Sequence, residues 1–226
     1  MFEALAKSFG LLGDRAFWAT AAKVILLTLP LAAIAAWAGI AGVDALPHFR
    51  WGFLNILVHA VGVVGAVFVA LMLFPALTGI VVGLFLDDIA EATERRYYPA
   101  DPPGREASLA TSTWQGLRLL MLVVAVNLLA LPLYVVCIFF PPLSAALYYA
   151  VNGWLLSREY FGMVAARHTD AAGERALRRR WSGRLFLAGC LIAFLFTVPV
   201  LNLAAPLIGT ALMVHVYKGV AKRATV

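Results

Sequence analysis

Four stretches of this 226-residue chain are almost free of charge: Val24–Val43, Trp51–Leu86, Leu119–Leu156 and Leu185–Tyr217, of 20, 36, 38 and 33 residues. A helix rises about 1.5 Å per residue and the hydrocarbon core of a bilayer is about 30 Å thick, so roughly 20 apolar residues complete one crossing. No soluble globule of this size has an interior that hides so much apolar surface. Only 13% of the residues are charged, against about 25% in an average soluble domain. The sequence therefore specifies an all-α, polytopic membrane protein, with residues 1–226 forming one membrane domain.

The runs differ in kind. The first, 24–43, has the length of one span, and its long polar lead and the three runs that follow mark it as a retained anchor rather than a signal peptide. The second, 51–86, would be some 54 Å long as one helix, too long for one crossing even with tilt. It must leave the bilayer part-way, with Pro75 the expected break or kink. Its far end reads as an amphipathic helix with Asp87, Asp88, Glu91 and Glu94 on the wet side.

The third and fourth runs, 119–156 and 185–217, each carry prolines near their middle: Pro132 and Pro141-Pro142, then Pro199 and Pro206. The limbs they delimit are 11 to 14 residues long, about 20 Å at most, short of a crossing. Each run is expected to be a re-entrant helical hairpin that penetrates the bilayer in part; two tilted, Pro-kinked full spans per run are the alternative. Backbone groups freed at such bends cannot face lipid, so protein or water must cover the tips. Pro-interrupted pairs of apolar segments are also a pointer to a transport site.

Charge sets the orientation. Of 18 Lys and Arg, 17 lie in residues 1–23, 87–118, 157–184 and 217–226, leaving only Arg50 elsewhere. If every run is a down-and-back excursion, with the first two forming one pair, those segments share a side. The positive-inside rule then makes 87–118 and 157–184 cytoplasmic, together with both termini. The net charge of +6 is read as this orientation signal and not as a nucleic-acid surface, because the basic residues fall between apolar runs. Cys137 and Cys190 lie inside those runs without the spacing of a disulfide framework or zinc site. No Walker loop, dinucleotide fingerprint, metal-ligand cluster or nucleophile elbow is present. The reading is of a protein without a cofactor and not an enzyme.

Three ordered motifs carry a family resemblance: Leu84-Phe-Leu-Asp-Asp-Ile-Ala-Glu-Ala-Thr-Glu-Arg-Arg-Tyr-Tyr-Pro99; Asn152-Gly-Trp-Leu-Leu-Ser-Arg-Glu-Tyr-Phe161 with Arg167-His168; and Val198-Pro-Val-Leu-Asn-Leu-Ala-Ala-Pro-Leu-Ile-Gly-Thr-Ala-Leu-Met-Val-His215. Together they resemble the CysZ-type sulfate permeases, grouped with the etoposide-induced membrane proteins. The resemblance implies sulfate uptake across the bacterial inner membrane for cysteine synthesis. It also implies two long membrane helices plus two partly penetrating hairpins, and oligomeric assembly. A sulfate site on a Gly closely followed by Arg maps onto Gly13 and Arg15, with Asp14 departing from the basic or neutral residue often found between them.

Sulfate is a strongly hydrated dianion, and replacing its water takes backbone N–H groups and guanidinium forks. Gly13 allows close backbone approach, and Arg15 stands where the dipole of the first membrane helix favours anions. A turn with an orienting Arg explains the same residues without function. Asn152, Arg158 and Glu159 are candidates to shape an anion path, and each also has a plain reading: a helix-to-helix amide, a snorkelling Arg and an interfacial ion pair. The block Arg175, Arg178-Arg-Arg180 and Arg184 fits orientation and attraction to anionic lipid. His59 and His215 could relay protons or simply pack as neutral imidazoles.

A sulfate permease or channel-like transporter, at least a dimer and in contact with membrane lipid, is the expected function. A non-transporting scaffold or lipid-interacting protein is the rival. An enzyme acting on lipid-borne substrate has only Asp87, Asp88 and Glu91 to support it.

Overall fold

The computed structural model of the protein describes residues 2–10, 13–45, 51–105, 109–137, 139–202 and 204–224. Among them there are helices and no strands, as the apolar runs demand: the backbone of a lipid-facing segment must satisfy its own hydrogen bonds, and a helix does so locally. The chain divides into two compact units, Trp18–Phe85 and the combination of Met1–Phe17 with Leu86–Val226.

The unit Trp18–Phe85 is built from most of α2 (Arg15–Asp44) and of α3 (Gly52–Tyr97). The stretches Phe17–Asp44 and Gly52–Val69 are long and apolar enough to cross a membrane. Their large side chains, among them Leu26, Trp37, Phe53 and Ile56, are exposed, as expected of helices whose solvent is lipid. Small residues bring them together: a Cβ on Gly62 would lie 2.7 Å from Val43 Cγ1, and one on Gly39 would lie 3.1 Å from Ala66 Cβ. Without water there is no hydrophobic drive between such helices, so close backbone approach supplies the packing. His59 Nε2 stands 3.1 Å from Asp44 Oδ1.

Helix α3 continues through Pro75, so the break expected there does not occur. A proline deletes one N–H bond of the ladder, and in a long apolar helix the remaining bonds outweigh that loss. The expected polar face of its last turns holds for Asp87, Asp88 and Glu91, which are exposed, and fails for Glu94, which is buried.

In the other unit, α4 (Leu109–Cys137) and α5 (Pro141–Ala166) form the first hairpin. Pro132 lies inside α4 and does not end a limb as the apolar pattern implied. Between the two limbs, Phe140 N–H donates to Cys137 O at 2.9 Å and Ser144 Oγ donates to the same carbonyl at 2.5 Å. Pro141 and Pro142 open α5, where a missing N–H has no helical partner to lose. Both limbs extend past the apolar run into polar flanks, to 29 and 26 residues.

The second hairpin follows α6 (Ala171–Arg180), which meets α7 (Ser182–Thr197) at 90°. At 16 residues α7 spans about 24 Å, less than the hydrocarbon core. A short α8 (Pro199–Asn202) forms the tip, and α9 (Ala205–Ala224) returns. From Ala205 to Tyr217 nearly every residue of α9 is buried, packed by α1 (Phe2–Gly10), α5 and α7.

Helices α5 and α7 cross closely at two glycines. A Cβ on Gly189 would fall 1.9 Å from Gly153 O, and one on Gly153 would fall 2.5 Å from Cys190 Sγ. The first obstacle is backbone and cannot swing aside. Gly189→Ala is therefore expected to lower stability by about 1–3 kcal/mol through overpacking, read as a lower melting temperature in detergent. Gly83→Ala, where a Cβ meets nothing within 4 Å, is the control and should be neutral or slightly stabilising. Equal melting of both variants would show that the crossing can open without loss.

Candidate functional site

The first group of polar residues gathers where α1 gives way to α2. Gly13 is exposed, and a Cβ there would meet nothing within 4 Å. Arg15 opens α2, is exposed, and has no carboxylate partner among the described residues. Asp14 between them is held from 82 positions away: Arg96 Nη1, near the end of α3, donates to its Oδ2 at 2.9 Å. Arg96 also lies over the Tyr97 ring, 5.5 Å from its centroid. Tyr97 in turn donates its hydroxyl to Lys7 O of α1 at 3.1 Å. The carboxylate between Gly13 and Arg15 thus has its charge offset by a guanidinium. Arg15 and the partial positive charge of the first turn of α2 remain.

A second, buried group joins α3, α5 and α9. Arg167 follows the last turn of α5 and its side chain is only 4% exposed. Nη2 reaches Glu94 Oε2 at 3.3 Å and Nη1 reaches Asp87 Oδ1 at 3.4 Å, while Nε is buried with no acceptor among the described residues. His168 Nε2 lies 2.7 Å from Glu94 Oε1, and its ring stacks on Tyr217 of α9 at 5.1 Å. Gly104 is needed here, since a Cβ would come within 2.7 Å of Arg167 Nε; the next residue, Arg105, donates its N–H to Arg167 O at 2.8 Å. Burial pushes the Glu94 carboxyl up, but the His168 hydrogen bond and the nearby Arg167 charge outweigh it and leave Glu94 below the ordinary carboxylate range.

Beside this cluster, Tyr98 OH and His215 Nδ1 are 2.9 Å apart, and Tyr97 meets the His215 ring edge-on at 4.9 Å. His215 is buried among these aromatics, the packed imidazole that was one of its two readings. Lys218 Nζ pairs with Asp101 Oδ2 at 3.0 Å.

Asn152, Arg158 and Glu159 all lie on α5. Asn152 donates to Tyr148 O of its own helix at 3.0 Å. The Arg158 guanidinium sits over Trp154, 4.7 Å from the ring centroid, and Glu159 is exposed. Asn152 and Glu159, seven residues apart, share a helix face that Arg158 does not. Asp14, the residue between Gly13 and Arg15, is bound by Arg96, which sequence reasoning did not connect to them.

A family model described as "Sulfate transporter CysZ/Etoposide-induced protein 2.4" matches residues 4–206 of the chain. The chain belongs to this family. No curated protein and no solved structure matches it. The family match takes in the Gly13–Arg15 turn, Arg96 and the Glu94–Arg167–His168 cluster, and stops short of His215, Tyr217 and Lys218. Among the described residues of this family member, no group of three His, Cys, Asp or Glu side chains is placed to hold a metal ion.

Sequence reasoning missed Glu94, Arg167 and His168 as a unit. One signal was available: Arg167-His168 stands next to a family-like motif, and Glu94 lies within another. Their pairing across 73 and 74 positions is a tertiary contact that no local pattern announces.

Proposed function

We propose that this protein is a permease for sulfate or a related oxyanion, importing it across a bacterial inner membrane as a multi-pass protein with both termini cytoplasmic. Membership of the sulfate transporter family over residues 4–206 is the observation that carries the reading. In this reading Gly13 and Arg15 capture the anion at the start of α2. The Asp14–Arg96 pair supports that role, because a carboxylate already engaged by a guanidinium repels a dianion far less than a free one. Asn152, Arg158 and Glu159 of α5 shape the path. The Glu94–Arg167–His168 cluster locks α5 to α3 and so fixes the helices that flank that path.

The chain has no ATP-binding motif, so passage is passive or coupled to an ion gradient. A chain this small has little room for a sealed pore, and the working form is at least a dimer. The purified protein in liposomes is expected to take up labelled sulfate well above empty vesicles. Uptake no greater than that of empty vesicles, with a lipid or protein partner co-purifying, would replace the permease by a membrane scaffold.

A further inference from the structure

The sharp turn between α6 and α7 gathers donors that lack an acceptor among the described residues. Trp181 stands at the turn, with the Arg180 and Arg223 guanidinium carbons each 6.0 Å from its ring centroid. Arg184, in the first turn of α7, lays a terminal nitrogen beside α9, where a Cβ on Gly219 would lie 3.5 Å from it. Trp181 Nε1 and Arg184 Nε are both buried and have no acceptor among the described residues. A buried donor without an acceptor is costly and asks for one.

Among the described residues the surroundings supply positive charge and no unengaged carboxylate. Helices α7 and α9 contain no Asp or Glu at all. On α6, Glu174 is engaged by Arg178, and Asp170 caps the helix by accepting from Gly173 N–H at 2.8 Å. None of Arg180, Arg184 and Arg223 has an ion-pair partner among the described residues. A tetrahedral oxyanion with several acceptor oxygens fits both the charge and the two orphaned donors.

We propose that Arg180, Trp181, Arg184 and Arg223 bind the phosphate of an anionic phospholipid, with an acyl chain lying on the exposed apolar face of α7. Two features select a lipid over a free anion. Helix α6 is short, carries Arg175 and Arg178–Arg180, buries none of its residues and lies at 90° to the apolar α7, the arrangement of an interfacial helix joined to an inserted one. Farther along α7, Leu187 and Phe194 are 57% and 52% exposed and fall on the same helix face as Arg184. Headgroup donors and an apolar strip thus follow one another along a single face, with a Trp at their junction, where amphipathic rings collect at membrane interfaces.

The test uses the purified full-length protein in a non-ionic detergent. Phosphatidylglycerol is expected to raise the melting temperature saturably and to remain bound in native mass spectra, whereas phosphatidylcholine is not. The double variant Trp181→Phe with Arg184→Gln, which removes both orphaned donors and one charge, should weaken phosphatidylglycerol binding by about tenfold or more. If that variant does not fold, Trp181→Phe and Arg223→Gln are measured singly, and each should bind more weakly than the parent. Equal stabilisation by phosphatidylcholine would overturn the proposal, as would unchanged binding in the variants. Equal stabilisation by inorganic phosphate or sulfate at the same concentration would make this a free-anion site and overturn the lipid assignment.

Discussion

Arg15→Ala is expected to reduce sulfate uptake at subsaturating concentration by about tenfold or more, the effect of losing one charge-assisted contact to a dianion. The variant is clean because Arg15 is exposed and has no carboxylate partner among the described residues, so its melting temperature should match the parent. Arg15→Lys keeps the charge without the planar fork and should restore uptake only in part. Gly13→Ala gives an independent reading. A Cβ there meets nothing within 4 Å and the backbone is not in the left-handed region, so loss of uptake would reflect obstructed approach of the anion. Parental uptake by Arg15→Ala in liposomes would take this turn out of the transport path.

Glu94→Ala is expected to lower stability by about 3 kcal/mol, the lower end of what breaking a buried ion pair costs. The substitution leaves Arg167 Nη2 without an acceptor, beside an Nε that already lacks one among the described residues, and removes the partner of His168. Asp87, half-exposed and 3.4 Å from Nη1, still leaves the guanidinium one carboxylate partner, which argues against the upper end. The double variant Glu94→Leu with Arg167→Met should recover most of the loss, because it removes the charge along with its partner.

The same pair makes stability depend on pH. The folded Glu94 carboxyl titrates below its ordinary range, so its contribution is fully present above the unfolded value and is lost as pH falls through the depressed folded value. Melting curves in detergent over that acidic range should show the parent converging on Glu94→Gln. A constant gap between the two at every pH would assign the effect to shape and not to charge.

The membrane class was legible at once, because charge-free runs of 20 to 38 residues permit no other environment. Position along the chain also disclosed the hairpin turns marked by Pro141-Pro142 and by Pro199 and Pro206, where a proline costs little. Pro75 and Pro132 misled as breaks, since a helix already committed on both sides absorbs one missing bond. At the candidate site, Gly13 and Arg15 were named because the family resemblance maps a Gly-x-Arg sulfate site onto them. Arg96 was not, because what makes it relevant is a contact with Asp14 over 82 positions.

The sequence by itself determined the solvent of this protein, its helical class and the location of its cations, since each follows from which residues stand next to one another. Tertiary structure alone decided which charges cancel. Glu94 had the spacing of a wet helix face and is buried against Arg167 and His168; Asp14 had the look of a repulsive neighbour and is held by Arg96. The physical reason is that electrostatic energy depends on distance and burial in space, and neither quantity is written in the order of the residues.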